Sequence, residues 1–326
     1  MIIYGAGLAG LLAGNMLRGL VPVVKEGQSS LPNNHSALLR FRTDRVGTAC
    51  AIKFKKVKVN KAIKYNNQIF TEPNLFLSNL YSQKVTGSIL TRSINNLEPV
   101  NRYIAPTRLI SMMAENCDVE YDQYLTMEAI TARERAKSKW IDRHTHSPPI
   151  ISTIPMPTLM KIVGWDEVPD FPKQKIWTER AIIEHPHCDV YQTIYYPDEL
   201  SPYYRISVIG NVVISEAIRK PDSYAGAHIM GALRDDFGIK TTMLTDIETS
   251  EQEYGKIMPI DEKLRKEFIY QMTTKYNIYS VGRFATWRQL LLDDVVEDIQ
   301  HIEHFIRNDT DYSRWIHSQK GEGDES

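Results

Sequence analysis

The sequence predicts an α/β protein of two interleaved domains: a Rossmann-like nucleotide-binding domain assembled from discontinuous segments, and a smaller mixed, mainly antiparallel domain between them. Three observations predict it. The chain opens on a strand, a glycine-rich turn, a helix and a second strand ending in an acid. Its last third returns to a strand running into glycine and a helix. Between the two, consecutive short strands replace the alternation of strands and helices. The length of 326 residues also exceeds the ~100 to 200 usual for one domain.

The elements follow in order. Met1 to Tyr4 is a short apolar strand, and the proline-free, helix-forming run from Leu8 to Leu20 predicts a helix that starts at the glycines. Val21 to Lys25 predicts the second strand, closed by Glu26. Gly27 to Asn34 has loop chemistry, and His35 to Arg45 then brings three arginines close together. From Ala51 to Tyr65 lysine alternates with apolar residues at period two, which predicts an edge strand with one wet face guarded by its lysines. Ala105 to Asn116 reads as a helix, Val119 to Tyr124 as a strand, and Pro149 to Ile154 as a β-branched strand that stops at Pro155. Four short strands from Ile176 to Glu216, separated by Pro, Asp and Gly, predict an antiparallel sheet. Helices are expected from Tyr224 to Phe237 and Asp261 to Lys275, a strand from Tyr276 to Val281, and a last helix from Gly282 to Ile306. The terminal GEGDES is polar and predicts disorder.

Composition excludes several classes. Basic residues number 39 against 40 acidic, so no global field draws the chain to nucleic acid or an anionic membrane, although local basic patches leave a nucleic-acid contact open. No stretch reaches the ~18 to 20 apolar residues of a membrane span. The first strand starts at Ile2, which leaves no room for a leader, so a cytoplasmic protein is expected. Cys50, Cys117 and Cys188 have no metal-ligand or redox spacing and read as reduced, structural thiols. No metalloprotease, catalytic-triad or calcium-loop pattern is present, so no metal is expected. A small-molecule substrate is the expected partner, and the oligomeric state stays open.

The chemistry starts at the glycines. Gly5 permits the tight turn, Gly7 lets the backbone approach a pyrophosphate, and Gly10 lets helix pack on strand. The anion then sits on the helix N-terminus around Leu8 and Ala9, where free amides and the helix dipole favour it. Glu26 lies close to the ~20-residue offset of an acid that bonds a ribose hydroxyl, and an acid there disfavours a 2′-phosphate and hence NADP. A nicotinamide dehydrogenase normally continues through further βα units; this chain does not. Instead Tyr279-Ser280-Val281-Gly282-Arg283 supplies a second close approach and a guanidinium fork for phosphate oxygens.

GAGLAGLLAG with Glu26, IISTIPMP, YYRISVIGNVVISE and YSVGRFATWRQLLLDD together resemble the FAD-dependent superfamily of UDP-galactopyranose mutase, protoporphyrinogen oxidase and the flavin amine oxidases. The resemblance covers most of the chain in order. It implies FAD as cofactor, with Gly5, Gly7, Leu8, Ala9, Gly10 and Glu26 on the ADP half, Pro155 beside the flavin, and Gly282 and Arg283 by the pyrophosphate. It implies a flavoenzyme that abstracts a hydride from an activated carbon, or a mutase-like enzyme acting on a sugar nucleotide without net redox, or a binding protein that keeps the fold alone. Where the mutases carry a tyrosine four positions after the arginine, this chain has Trp287. The Gly-Gly-Arg that amine oxidases place after the acid is missing, and Arg40 or Arg42 stands in for it or serves the surface.

Substrate candidates are Arg40, Arg42, Lys84, Tyr204, Arg205 and Trp287. Arg205 suits a carboxylate or phosphate, and equally a cross-strand partner. Lys84, Arg92 and Arg102 form an anion cluster if their segment folds over the flavin. His35, His185 and His187 are the histidines considered for acid–base work; the catalytic residues stay unassigned. The predicted FAD-binding domain comprises residues 1–50, 100–160 and 265–320, the substrate domain 51–99 and 161–264, and the tail 321–326.

Overall fold

The computed structural model describes residues 1–31, 40–89, 94–138, 149–184, 188–221, 226–239 and 244–308. His35, Arg92, His185, His187 and the tail lie outside them. In chain order the elements are β1 (Ile2–Tyr4), α1 (Leu8–Met16), β2 (Val23–Lys25), β3 (Arg40–Phe41), α2 (Arg45–Ala49), β4 (Lys55–Tyr65), β5 (Gln68–Phe70), α3 (Leu75–Thr86), β6 (Val100–Ile104), α4 (Leu109–Ala114), β7 (Asp118–Glu120) and α5 (Met127–Ser138). They continue with β8 (Ile150–Ser152), α6 (Met156–Val163), β9 (Lys173–Ile183), β10 (Val190–Tyr195), β11 (Tyr203–Gly210), β12 (Val212–Ala217), α7 (Ala227–Asp235), β13 (Leu244–Ile257), α8 (Glu262–Tyr276), β14 (Ile278–Ser280) and α9 (Leu292–Asn308).

Five of these strands form a parallel sheet in the order β14-β8-β1-β2-β7. A parallel sheet needs both faces covered, and β1, β2, β8 and β14 are accordingly mostly apolar, while the edge strand β7 exposes Asp118 and Glu120. One face packs on Leu11 and Leu12 of α1, Leu109 and Met113 of α4, and Ile299 and Ile302 of α9. The other packs on Leu159 and Met160 of α6 and Phe268 and Met272 of α8. Every strand of this sheet comes from the three segments predicted to build the nucleotide-binding domain.

The second sheet has nine strands, in the order β13-β9-β12-β11-β10-β4-β6-β3 with β5 beside β4. All its pairs are antiparallel except β10 with β4. Ile229, Ala232 and Leu233 of α7 cover one face, over Ala181, Ile194, Ile206, Val208 and Val213. β3 and β6, assigned from sequence to the first domain, belong to this sheet.

Three further expectations change. The lysine-rich strand β4 is not an edge: residues 55–59 pair with β6 and residues 60–63 with β10, while Lys55, Lys56 and Lys58 remain exposed. Period-two alternation reports which face is wet and says nothing about whether the edges are paired. The last helix starts at Leu292, ten residues later than expected from Gly282. Gly282 (φ 91°) and Trp287 (φ 49°) are both left-handed, which keeps the preceding segment in turns, and Asp294 Oδ2 accepts from Leu291 N at 2.8 Å where the helix begins. α1 stops at Met16, and a short 3-10 turn (Arg18–Leu20) leads to Val21 at φ 48°. Cys50, Cys117 and Cys188 are free thiols, and no helix among the described residues is long and apolar enough to cross a membrane.

Candidate functional site

The glycine loop joins β1 to α1. Gly5 sits at φ +99°, and its N–H donates to Lys25 O at 2.8 Å. A Cβ on Gly5 would lie 2.3 Å from Thr153 Oγ1, and one on Gly10 only 1.8 Å from Gly5 O, so the protein's own packing requires both glycines. Gly7 differs. It is the N-cap of α1 in extended conformation, and a Cβ there would meet nothing within 4 Å. Its bareness leaves open the approach to the first turn of α1, at Leu8 and Ala9, where amides lack carbonyl partners within the helix and the dipole favours an anion.

Glu26 closes the loop from the end of β2. The side chain is buried; Oε2 accepts from Ala6 N at 2.7 Å and Oε1 from Gln28 N at 3.1 Å. The far end of the chain completes the cradle: a Cβ on Gly282 would lie 2.8 Å from the Ala9 Cβ. Val281 N donates to Ser152 O, and Met156 N donates to Phe284 O, both at 2.9 Å. The Gly282-Arg283 turn and Pro155, the N-cap of α6, are thereby fixed side by side at the ends of β14 and β8. Arg283 is half-buried, with Nη2 donating to Gln289 Oε1 at 3.3 Å. A bare Gly7, a helix N-terminus, an acid at the end of β2 and an arginine fit the ADP half of FAD.

The second group of polar side chains lies on the second sheet, around a cavity of about 60 Å³ lined by Arg40, Thr178, Arg205, Ser207, Ile214, Glu216 and Gln252. A register shift in the β11–β12 pair shapes it: Tyr203 opposes Ala217 and Arg205 opposes Glu216, so Tyr204 is an extra residue. Neighbours in a regular strand point to opposite faces; a bulge re-aims one of them. Tyr204 and Arg205 accordingly both reach Glu216, with Tyr204 OH donating to Oε1 at 3.0 Å, Arg205 Nη2 to the same oxygen at 2.6 Å, and Arg205 Nε to Oε2. Burial alone would raise the Glu216 carboxyl, but Arg205, with Arg40 and Tyr204, outweighs it and brings the pKa down to about 2. Burial likewise opposes the Arg205 charge, and Glu216 and Tyr204 hold that guanidinium well above its ordinary value.

Arg40 reaches this face from β3 and donates from Nη1 to Thr193 Oγ1 at 2.7 Å. Burial, then the neighbouring Arg205, lower its pKa to about 10. One residue on, Phe41 packs in the core of the parallel sheet. Arg42 N and Thr43 N donate to the two carboxylate oxygens of Asp293, each at 3.1 Å, pinning the segment to the start of α9. The Arg42 residue is exposed.

The structure thus brings together Arg40, Tyr204 and Arg205 and leaves out Arg42, Lys84 and Trp287. Lys84 is buried, and its Nζ donates to the carbonyls of Tyr196, Asp198 and Tyr203 at 2.8, 2.6 and 2.5 Å, which uses all three of its donors. Its predicted cluster with Arg102 gives way to this structural role. Trp287 is 2% exposed, with Nε1 donating to Met258 O at 2.9 Å and its ring edge-on to Phe171. It is a core residue. Sequence reasoning missed Glu216, Thr178, Ser207, Gln252 and Thr153. For Glu216 the signal was present in the hairpin register that sets an acid opposite Arg205.

The parallel sheet, the glycine loop and the returning C-terminal turn build an α/β fold that solved structures such as that of UDP-galactopyranose mutase share. Among solved structures, that of reduced UDP-galactopyranose mutase superposes with a TM-score of 0.67 at 15% identity, over 97% of each chain. A geranylgeranyl bacteriochlorophyll reductase-like protein from Thermoplasma acidophilum gives 0.56 at 12% identity, over 98% of this chain and 80% of that one. A probable FAD-dependent monooxygenase from Pseudomonas aeruginosa gives 0.53 at 10%, over 98% and 90%. No family model matches the sequence, and no curated protein matches it.

Proposed function

We propose that this chain is an FAD-dependent oxidoreductase that abstracts a hydride from an activated carbon of a small substrate, such as a carbon next to an amine. The observation that carries the reading is the cradle at Gly7, where the backbone stays bare although no described residue would meet a side chain there. When bound, the flavin supplies the hydride acceptor and the route of the electrons to oxygen or another acceptor. The chain supplies position and electrostatics. Gly7 admits the pyrophosphate to the N-terminus of α1, Glu26 accepts from a ribose hydroxyl, and Arg283 offers its guanidinium to phosphate oxygens. Glu216, fixed as an anion by Arg205, does not release a proton near neutral pH and serves to orient.

A redox-neutral mutase would use the same cradle. Trp287 weighs against it, because the residue standing where the mutases use a tyrosine toward the sugar nucleotide is buried on Met258 O. The test is anaerobic bleaching of the FAD-loaded protein. An oxidoreductase bleaches with its substrate and no added reductant; a mutase turns over a sugar nucleotide only after dithionite and leaves the flavin reduced. A protein that binds FAD but does neither across amine and sugar-nucleotide panels contradicts both readings.

A further inference from the structure

We infer that the cavity on the second sheet is a receptor for a single carboxylate-sized anion, and, resting on the flavoenzyme reading above, that the substrate bears one carboxylate. Charge is the first argument. Arg40 and Arg205 bring two positive charges to the cavity and Glu216 one negative, which leaves one positive charge to be met. Arg205 is already paired: Nε and Nη2 both donate to Glu216. Arg40 is not. Among the described residues no carboxylate lies within ion-pair distance of it, and its single side-chain hydrogen bond goes to a neutral hydroxyl, Thr193 Oγ1, at 2.7 Å. Arg40 is half-buried, and a charge drawn even partly out of water is ordinarily paired, because losing hydration without compensation is costly. An arginine held in a polar cavity without an anion of its own is arranged for one that arrives from outside.

Size and donor chemistry make the second argument. The cavity, about 60 Å³, has room for a group the size of a carboxylate. Gln252 lines it with an amide able to donate to a carboxylate oxygen, and Thr178 and Ser207 add hydroxyls that are hydrogen-bonded to Ser250 Oγ at 2.7 Å and Thr193 Oγ1 at 3.0 Å. The bulge at Tyr204 supplies the third. It sets Tyr204 and Arg205 on the same carboxylate, which fixes the Arg205 fork against rotation before any ligand enters.

The experiment is calorimetric titration of the full-length protein, with and without FAD, using sodium formate, acetate and benzoate as probes. Benzamide serves as the neutral control and inorganic pyrophosphate as the larger anion. The carboxylates should bind, benzamide should bind at least about tenfold more weakly, and Arg40→Met should weaken the carboxylates by about tenfold or more without shifting the thermal midpoint by more than a few degrees. Arg205→Met paired with Glu216→Leu keeps the volume apolar and should also abolish binding, which covers the case in which Arg205→Met alone does not fold. Equal binding of benzoate and benzamide, tighter binding of pyrophosphate, no loss in Arg40→Met, or no carboxylate binding at all overturns the inference. FAD binding is scored separately by absorption. A protein that takes carboxylates without FAD sinks only the flavoenzyme reading, and one that takes FAD without carboxylates sinks only this one.

Discussion

Gly282 stands directly against Ala9, with room for no side chain between them: a Cβ on Gly282 would lie 2.8 Å from the Ala9 Cβ, at a backbone φ of +91°. This contact joins the last strand of the parallel sheet to the first turn of the first helix. Gly282→Ala therefore meets a left-handed penalty of about 1 to 2 kcal/mol and a steric clash. It should lower the urea midpoint by a corresponding amount and weaken FAD binding, because Arg283 moves with it. An unchanged midpoint would mean that the two ends do not meet as described.

Gly7→Ala makes the opposite test. The new methyl meets no described residue within 4 Å, and the backbone there is extended with φ −70°. Stability should change by no more than about 1 kcal/mol, the scale of an N-cap substitution. FAD affinity, measured by fluorescence titration, should fall by an order of magnitude or more, since the methyl occupies the pyrophosphate's approach. Unchanged affinity would assign Gly7 to the loop alone.

These two glycines also mark how much was legible in advance. Gly5, Gly7, Gly10 and Glu26 were readable because their chemistry is local: a turn, a close approach and an acid at a fixed offset. β1, β2, β8 and β14 of the parallel sheet were readable because each lies in a short, mostly apolar run, whereas β7 has only Val119 between two exposed acids. β13 was not. Its Glu248, Glu251 and Glu253 give it poor strand propensity on their own, and only in the sheet do they meet Arg180, Lys175 and Lys173 of β9 as ion pairs. The cavity on the second sheet escaped for a similar reason. Arg40 and Arg205 were visible as arginines, but the register shift that turns Tyr204 and Arg205 onto Glu216 is a property of two paired strands, which one strand's sequence does not reveal.

The Arg205–Glu216 pair should respond asymmetrically to mutation. Arg205→Met leaves a half-buried carboxylate without its main cation and should cost about 2 kcal/mol or more, whereas adding Glu216→Leu should recover most of that loss. Urea unfolding of the two variants decides it; equal destabilisation would mean the carboxylate is not buried against the arginine. Because the folded pKa of Glu216 is depressed to about 2 from an ordinary 4.5, its contribution is complete above about pH 4.5 and is lost as pH falls toward 2.

His228 carries an acid sensitivity of its own. Its ring stacks on Tyr203 at 3.4 Å and 6°, and among the described residues Nε2 has no hydrogen-bond partner. Burial, with Asp236 opposing and Lys84 adding, lowers its pKa to about 4 from 6.5. Between those values the unfolded chain binds a proton that the folded chain does not, so stability falls as pH drops from 6.5 to 4. His228→Phe keeps a ring on Tyr203 and should remove a loss on the order of 2 kcal/mol across that window. Thermal midpoints at pH 7 and pH 4.5 measure it; the same drop in variant and parent would exclude His228 as the source.

The central claim is that both ends of the chain build an FAD site, and an absorption spectrum of the purified protein tests it most directly. Recorded before and after dithionite, with the released cofactor identified by mass, it should show a yellow protein that bleaches on reduction and yields FAD in stoichiometric amount. A colourless protein that takes up no FAD on reconstitution would contradict the account.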